Sequence, residues 1–254
     1  MNAVIAAQRG RLDDCLRWVK SIKSQTIADD IVIGIAIFGY DEFELLANKL
    51  SDYKNVCLAP VHYHPGPFPE AWLKNIIIKR LFGTDVTKIC ATNIDIVYST
   101  DFFEKVFAKT DDRTLVQALR LDVSRRLHNE TPVLRDCMVR GFSSILSRDT
   151  NTPIPITACG DCQSMTVANW EKLSGYNEKM VGWGVLDNDL TTRALMAGLS
   201  VNIVGYEECV HVHQDHPRDV VSAGIQEYMN RYHMVTGINA GQFRANETWG
   251  GIDG

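Results

Sequence analysis

The chain has 254 residues, 45% of them hydrophobic and 22% charged. That is enough for one sizeable buried core, and it excludes a disordered, collagenous or coiled-coil protein. With 26 Lys and Arg against 31 Asp and Glu, the net charge is -5, which speaks against a protein that coats nucleic acid.

The longest apolar run, Ile31 to Phe38, is too short to span a bilayer. No basic segment precedes the apolar residues after Met1, so no signal peptide is expected. Seven cysteines is an odd number. In a chain whose core needs no disulfides this favours a reducing, cytoplasmic setting.

In chain order, residues 2–7 read as a strand leading into a turn at Gln8-Arg9-Gly10. Leu12, Cys15, Leu16, Val19 and Ile22 recur at helical spacing. Ile31 to Phe38 is a continuous β-branched run, as in a strand covered on both faces. Phe43, Leu45, Leu46 and Leu50 predict a second helix. Val56 to His62 predicts a strand broken at Pro65-Gly66-Pro67. Residues 69–82 have helical period and 86–92 read as a strand. Alternating units of this kind predict an α/β fold, a mostly parallel sheet with helices on both faces. Ligands then bind at the carboxyl ends of the strands. Those ends read Gln8-Arg9, Gly39-Tyr40-Asp41, His62-Tyr63-His64 and Asn93-Ile94-Asp95.

The second half is less regular. Residues 113–148 hold seven arginines against Asp122, Glu130 and Asp136, a local charge of 7 − 3 = +4. A helix is predicted over 187–198, short strands over 201–204 and 209–212, and a further helix from Pro217 to about His233. Residues 237–254 are glycine-rich and read as a flexible tail. One domain is expected, with a first half (1–110) binding nucleotide-sugar and a second (111–236) serving acceptor and catalysis.

Four constellations carry chemistry. Asn93 and Asp95, two apart on a strand, would share a face and offer oxygen to a cation or a sugar hydroxyl; alternatively Asp95 only caps a turn. In Gly182-Trp183-Gly184-Val185-Leu186-Asp187-Asn188-Asp189-Leu190, two glycines let an indole project into a cleft at the start of a helix. One of the two aspartates there suits a helix cap. His211 and His213 alternate on a strand, and imidazole is a good ligand for manganese or zinc. Cys159-Gly160-Asp161-Cys162 is half of a zinc site completed by Cys209 and His211, a redox pair, or simply buried thiols.

Taken in this order, the segments resemble a GT-A fold glycosyltransferase of the family 2 and galactosyltransferase C-terminal type, including chondroitin polymerase-like transferases. Ser21-Ile22-Lys23-Ser24-Gln25 fits the family's Ser-x-x-x-Gln pattern, and Ala71-Trp72-Leu73-Lys74-Asn75 its Ala-x-x-x-Asn element. Asn93-Ile94-Asp95 takes the place of Asp-x-Asp, followed by a similar Ser99-Thr100-Asp101-Phe102-Phe103. Gly182 to Leu190 matches Gly-Trp-Gly-x-Glu-Asp-x-Asp-Leu, and His213-Gln214 matches a late His-Gln. Two positions depart from the pattern: Asn93 replaces the first Asp, and Leu186 replaces the Glu.

The resemblance implies transfer of a sugar from a nucleoside diphosphate sugar, most often UDP-linked, to a glycan or other hydroxyl acceptor. It implies donor contacts at Gln8, Arg9, Asp41, Asn75, Asn93 and Asp95. It further implies a Mn²⁺ or Mg²⁺ cofactor on Asp95 and His213, with His211 as a further ligand. Asp187 would be the general base of an inverting reaction, and Trp183 and Asp189 would face the acceptor sugar. Two alternatives stand beside this. One is a transferase acting on hydroxymethylated DNA through Arg125 and Arg126. The other is a non-catalytic nucleotide-sugar or glycan-binding module.

Overall fold

The computed structural model describes residues 1–62, 66–122, 138–139, 161–182, 184–205, 207–213 and 220–251. The strands are β1 (Asn2–Gln8), β2 (Ile31–Phe38), β3 (Val56–Val61), β4 (Lys88–Ala91), β5 (Ile96–Tyr98), β6 (Thr114–Ala118), β7 (Arg120–Asp122), β8 (Met138–Val139), β9 (Gln163–Thr166), β10 (Ser200–Val204) and β11 (His211–His213). The helices are α1 (Leu12–Lys23), α2 (Tyr40–Leu50), α3 (Glu70–Arg80), α4 (Phe102–Lys109), α5 (Val167–Leu173), α6 (Leu186–Met196) and α7 (Val220–Asn239).

A seven-stranded sheet runs in the order β10-β6-β9-β4-β1-β2-β3, and β9 alone is antiparallel to its neighbours. A smaller sheet, β5-β11-β7-β8, sits at its edge. The α/β expectation with a mostly parallel sheet holds. In β1 and β2 nearly every residue is buried, because helices cover both faces and no position has to meet water. On one face Cys15, Trp18, Val19 and Ile22 of α1 pack with Phe102, Phe103 and Val106 of α4 against Val4, Ile33 and Ile35. On the other, α3, α5 and α6 cover Ala3, Ile5 and Phe38.

Helix α3 approaches the sheet closely enough to require Gly34 on β2. A Cβ there would lie 2.5 Å from Ile77 Cγ2 and 3.0 Å from Ile5 Cγ2. Gly34→Ala is therefore expected to cost about 1–3 kcal/mol by overpacking, read as a lowered urea midpoint with an unchanged slope.

Residues 244–251 are held in place, where composition suggested a flexible tail. Trp249 is buried against Phe82 with ring centroids 5.5 Å apart, and Lys79 Nζ lies 4.7 Å from its ring centroid. Gly250 N donates to Glu178 Oε1 (2.8 Å), Trp72 Nε1 to Gly251 O (2.9 Å) and Ala245 N to Leu173 O (3.1 Å). One large apolar side chain with a seat on α3 outweighs the freedom its glycine neighbours would otherwise have.

The topology determines where chemistry can gather. Strands β1, β2, β3, β4, β6 and β10 all end at one edge of the large sheet. The antiparallel β9 begins there, and α3 and α6 point their N-termini the same way. Residues far apart in sequence therefore meet at that edge, as the switch-point rule for open sheets requires.

Candidate active site

Asp187 lies in the first turn of α6, which is set by the preceding loop. Gly182, Gly184 and Val185 have φ of +69°, +96° and +71°, left-handed conformations that glycine adopts readily and a β-branched residue does not. The turn is clamped from α7 by Asn230, whose Nδ2 donates to Gly184 O (3.0 Å) and Val181 O (3.2 Å). Gly182 N donates to Phe68 O at 2.8 Å. Neither Asp187 nor Asp189 caps the helix with its side chain. Burial pushes the Asp187 carboxyl up to about 7. The charges of Glu70 and Asp161 add to that rise, and those of Lys74 and Arg120 oppose it.

Those four neighbours form one network. Lys74, 1% exposed, has Nζ 2.6 Å from Glu70 Oε1 and donates to Asn93 Oδ1 at 2.9 Å. Asn93 Nδ2 donates to Asp161 Oδ1 at 3.0 Å, and Arg120 Nη1 binds Asp161 Oδ2 at 2.6 Å. Gln163 braces the wall by accepting from Tyr176 OH (2.8 Å) and donating to Asp187 O (3.3 Å). The departure at Asn93 has a physical reason here. An amide accepts from Lys74 and donates to Asp161 at once, whereas an aspartate would set two carboxylates against each other.

Strand β4 stops at Ala91, so Asn93 and Asp95 lie on the turn beyond it and do not share a strand face. Asp95 meets different partners. Arg11 Nη1 is 2.7 Å from its Oδ2, and His213 Nε2 is 3.6 Å from the same atom. Asp95 and His213, 118 positions apart, are thus brought together. His211 is not. Two residues along a strand is about 6–7 Å, which leaves its ring among Tyr98 and Phe102, at 6.4 and 5.1 Å between centroids. Burial there lowers His211 to about 4. Among the described residues no group of three or more His, Cys, Asp or Glu could hold a metal ion, so the three-ligand expectation reduces to a pair.

At the end of β1, buried Gln8 donates from Nε2 to Glu42 Oε2 (3.2 Å), and Gly10 N donates to Glu42 Oε1 (2.7 Å). The acid of α2 that reaches this edge is Glu42; its exposed neighbour Asp41 does not, since adjacent helical residues point about 100° apart. Arg9 lies over the Phe38 ring at 5.5 Å. Asn75 is not at the edge cluster. Its Nδ2 donates to Tyr176 O and Glu178 Oε1, and its Oδ1 accepts from Tyr176 N, so it ties α3 to the 175–178 turn. Asp189 is buried in an ion pair with Arg193, Oδ2 to Nε 2.7 Å. Gln25 joins α1 to the start of α4 by bonding Ser99 O and Phe103 N.

Trp183, Gln214, Cys159, Arg125 and Arg126 lie outside the described residues. Cys162 packs in the core 3.7 Å from Cys90 Sγ, and Cys209 is buried with its thiol raised to about 12, as suits inert thiols. Sequence reasoning missed Glu42, Glu70, Lys74, Arg120 and Asp161. Lys74 stood inside a quoted motif, and a lysine on the apolar face of a helix was the signal available.

A family model described as the N-terminal domain of galactosyltransferase matches residues 143–216, the stretch that holds Asp187 and both strand histidines. Among solved structures the chain is similar to S. aureus TarS, at 12% identity and a TM-score of 0.60, over 94% of this chain and 40% of that one. It is similar also to S. aureus TarS 1-349 in complex with UDP, at 11% identity and a TM-score of 0.61, over 85% of this chain and 61% of that one. The chain thus spans less than two thirds of the length of these proteins. No curated protein matches it. The fold is that of the GT-A glycosyltransferases. Over residues 143–216 the chain is thus similar to a galactosyltransferase domain.

Proposed function

We propose that the chain transfers a sugar from a UDP-linked donor to an acceptor hydroxyl, inverting the anomeric carbon, with Asp187 as general base. The observation that carries this is a carboxyl pushed to about 7 at the sheet edge where ligands of such folds bind. A base with a pKa near the working pH is the most effective kind. Asp187 takes the acceptor hydroxyl proton as that oxygen attacks, and one base opposite the leaving group predicts inversion. Lys74 keeps enough of Asp187 ionised to act. Gln8, whose buried Oε1 has no hydrogen-bond partner among the described residues, faces the donor side with Glu42. The UDP held by a protein of this fold supports the choice of nucleotide.

Asp95 and His213 would fit a divalent cation, because a carboxylate oxygen and an imidazole nitrogen lie 3.6 Å apart there, with the cation taking the place that Arg11 Nη1 holds on Asp95 Oδ2. Bound there, Mn²⁺ or Mg²⁺ would act as a Lewis acid for charge developing on the diphosphate. Arg11 supports the same charge from the end of β1.

Thermal shifts with UDP-, GDP- and TDP-sugars, each with and without Mn²⁺, test the donor, and the largest shift is expected for UDP-sugar with Mn²⁺. Excess chelator should cut UDP release at least tenfold, and Mn²⁺ should restore it. His213→Ala should raise the Mn²⁺ needed for half-maximal rate by about 10–100-fold. Full turnover in chelator removes the metal from the scheme.

Among the described residues no helix is long and apolar enough to cross a membrane.

A further inference from the structure

A polar cavity of about 70 Å³ lies between α6, α7 and residues 242–245. Its wall carries Lys179, Arg193 and Arg244 against a single carboxylate, Asp189, with Asn177 and His233 beside them. Arg193 and Asp189 are 2% and 3% exposed. Arg193 Nε donates to Asp189 Oδ2 (2.7 Å) and Nη1 to Leu173 O (3.0 Å). Nη2 is buried with no hydrogen-bond partner among the described residues. A buried guanidinium N–H without an acceptor is unfavourable, and an anion relieves it best. Among the described residues Lys179 and Arg244 form no ion pair; Arg244 Nε donates to the Ser174 hydroxyl at 3.0 Å.

This cavity is not the reaction site. Asp189 and Arg193 are four apart and share one face of α6, whereas Asp187 lies about 200° round the helix from Asp189. Three cations against one acid favour an anion over a neutral sugar, and the volume suits a small one.

We propose that this cavity binds a small oxyanion, a phosphate or a phosphate ester, on the back of the helix that carries Asp187. Calorimetric titration of the full chain with inorganic phosphate tests it, at fixed ionic strength and with saturating UDP so that a diphosphate pocket cannot take the probe. Saturable binding is expected. It should weaken at least tenfold in the Lys179→Ala/Arg244→Ala double variant, whose substitutions are at exposed positions and which should keep wild-type UDP affinity and Tm. Methyl and dimethyl phosphate distinguish the source. Comparable binding of the esters assigns the site to a phosphate carried on a larger molecule, and binding of phosphate alone assigns it to the free ion. Absence of saturable phosphate binding, or binding unchanged in the double variant, overturns the proposal. A chain that fails to bind UDP would count against the donor reading and leave this titration intact.

Discussion

Asp187→Asn should lower kcat by about 10²–10⁴-fold, the usual range for a general base, while UDP binds within about twofold of wild type. The amide has the carboxylate's shape and cannot accept the acceptor's proton. The wild-type pH profile carries the same assignment. Asp187 is protonated below about 7, so kcat/KM should rise with pH through that value and level off above it.

Stability should run the opposite way. The folded carboxyl keeps its proton up to about 7, whereas the unfolded one releases it near 3.8. Its contribution is therefore fully present below about 4, declines as pH rises and is lost above about 7. Asp187→Asn has no such charge to desolvate, so its Tm advantage over wild type should grow from pH 4 to pH 7. An active variant, or a rate profile flat across pH 7, would refute the base assignment.

Lys74→Met should lower both stability and rate, in separable ways. Lys74 is buried between Glu70 and Asn93, with Nζ 5.4 Å from the Tyr176 ring centroid. Removing it strips an ion-pair partner from Glu70 and a donor from Asn93, at a cost of about 3 kcal/mol, measured by urea unfolding. It also removes the stronger of the two charges holding the Asp187 carboxyl down. The ascending limb of the pH profile should then move to higher pH, so that kcat/KM falls more at pH 7 than at pH 9. A uniform loss across pH would mean that Lys74 acts only on the fold.

The large elements were legible because their patterns have one solution. The run from Ile31 to Phe38 is apolar on both faces and becomes a central strand. Cys15, Val19 and Ile22 repeat at helical spacing and cover that strand. The segments between Phe102 and Thr166 were harder, since β6 and β9 are short and β9 runs against its neighbours. Short strands carry too few residues to display a period.

At the site, the segment holding Asp187 stood out because two glycines flanking a tryptophan before an acidic helix start form a contiguous motif, while the choice of Asp187 over Asp189 came from the resemblance. The Asp95–His213 contact rested on motif resemblance alone. Glu42, and not the expected Asp41, bonds Gln8 and Gly10 at the end of β1, since a one-residue choice on a helix depends on the rotation of that helix against the sheet. Asn75, placed in a quoted motif, proves to hold the 175–178 turn, and His211 to sit among aromatic rings.

By itself the sequence determined the class of fold and pointed to Asp187 at the head of α6, because local periodicity and contiguous motifs are written in neighbouring residues. Only the tertiary structure decided that Lys74, Asn93, Asp161 and Arg120 form one electrostatic network around that acid. The reversal of β9 brings Asp161 to the edge where the parallel strands end. The pKa of Asp187 follows from burial and from charges more than 20 positions away in the chain. No local pattern encodes those distances; the packing of the sheet does.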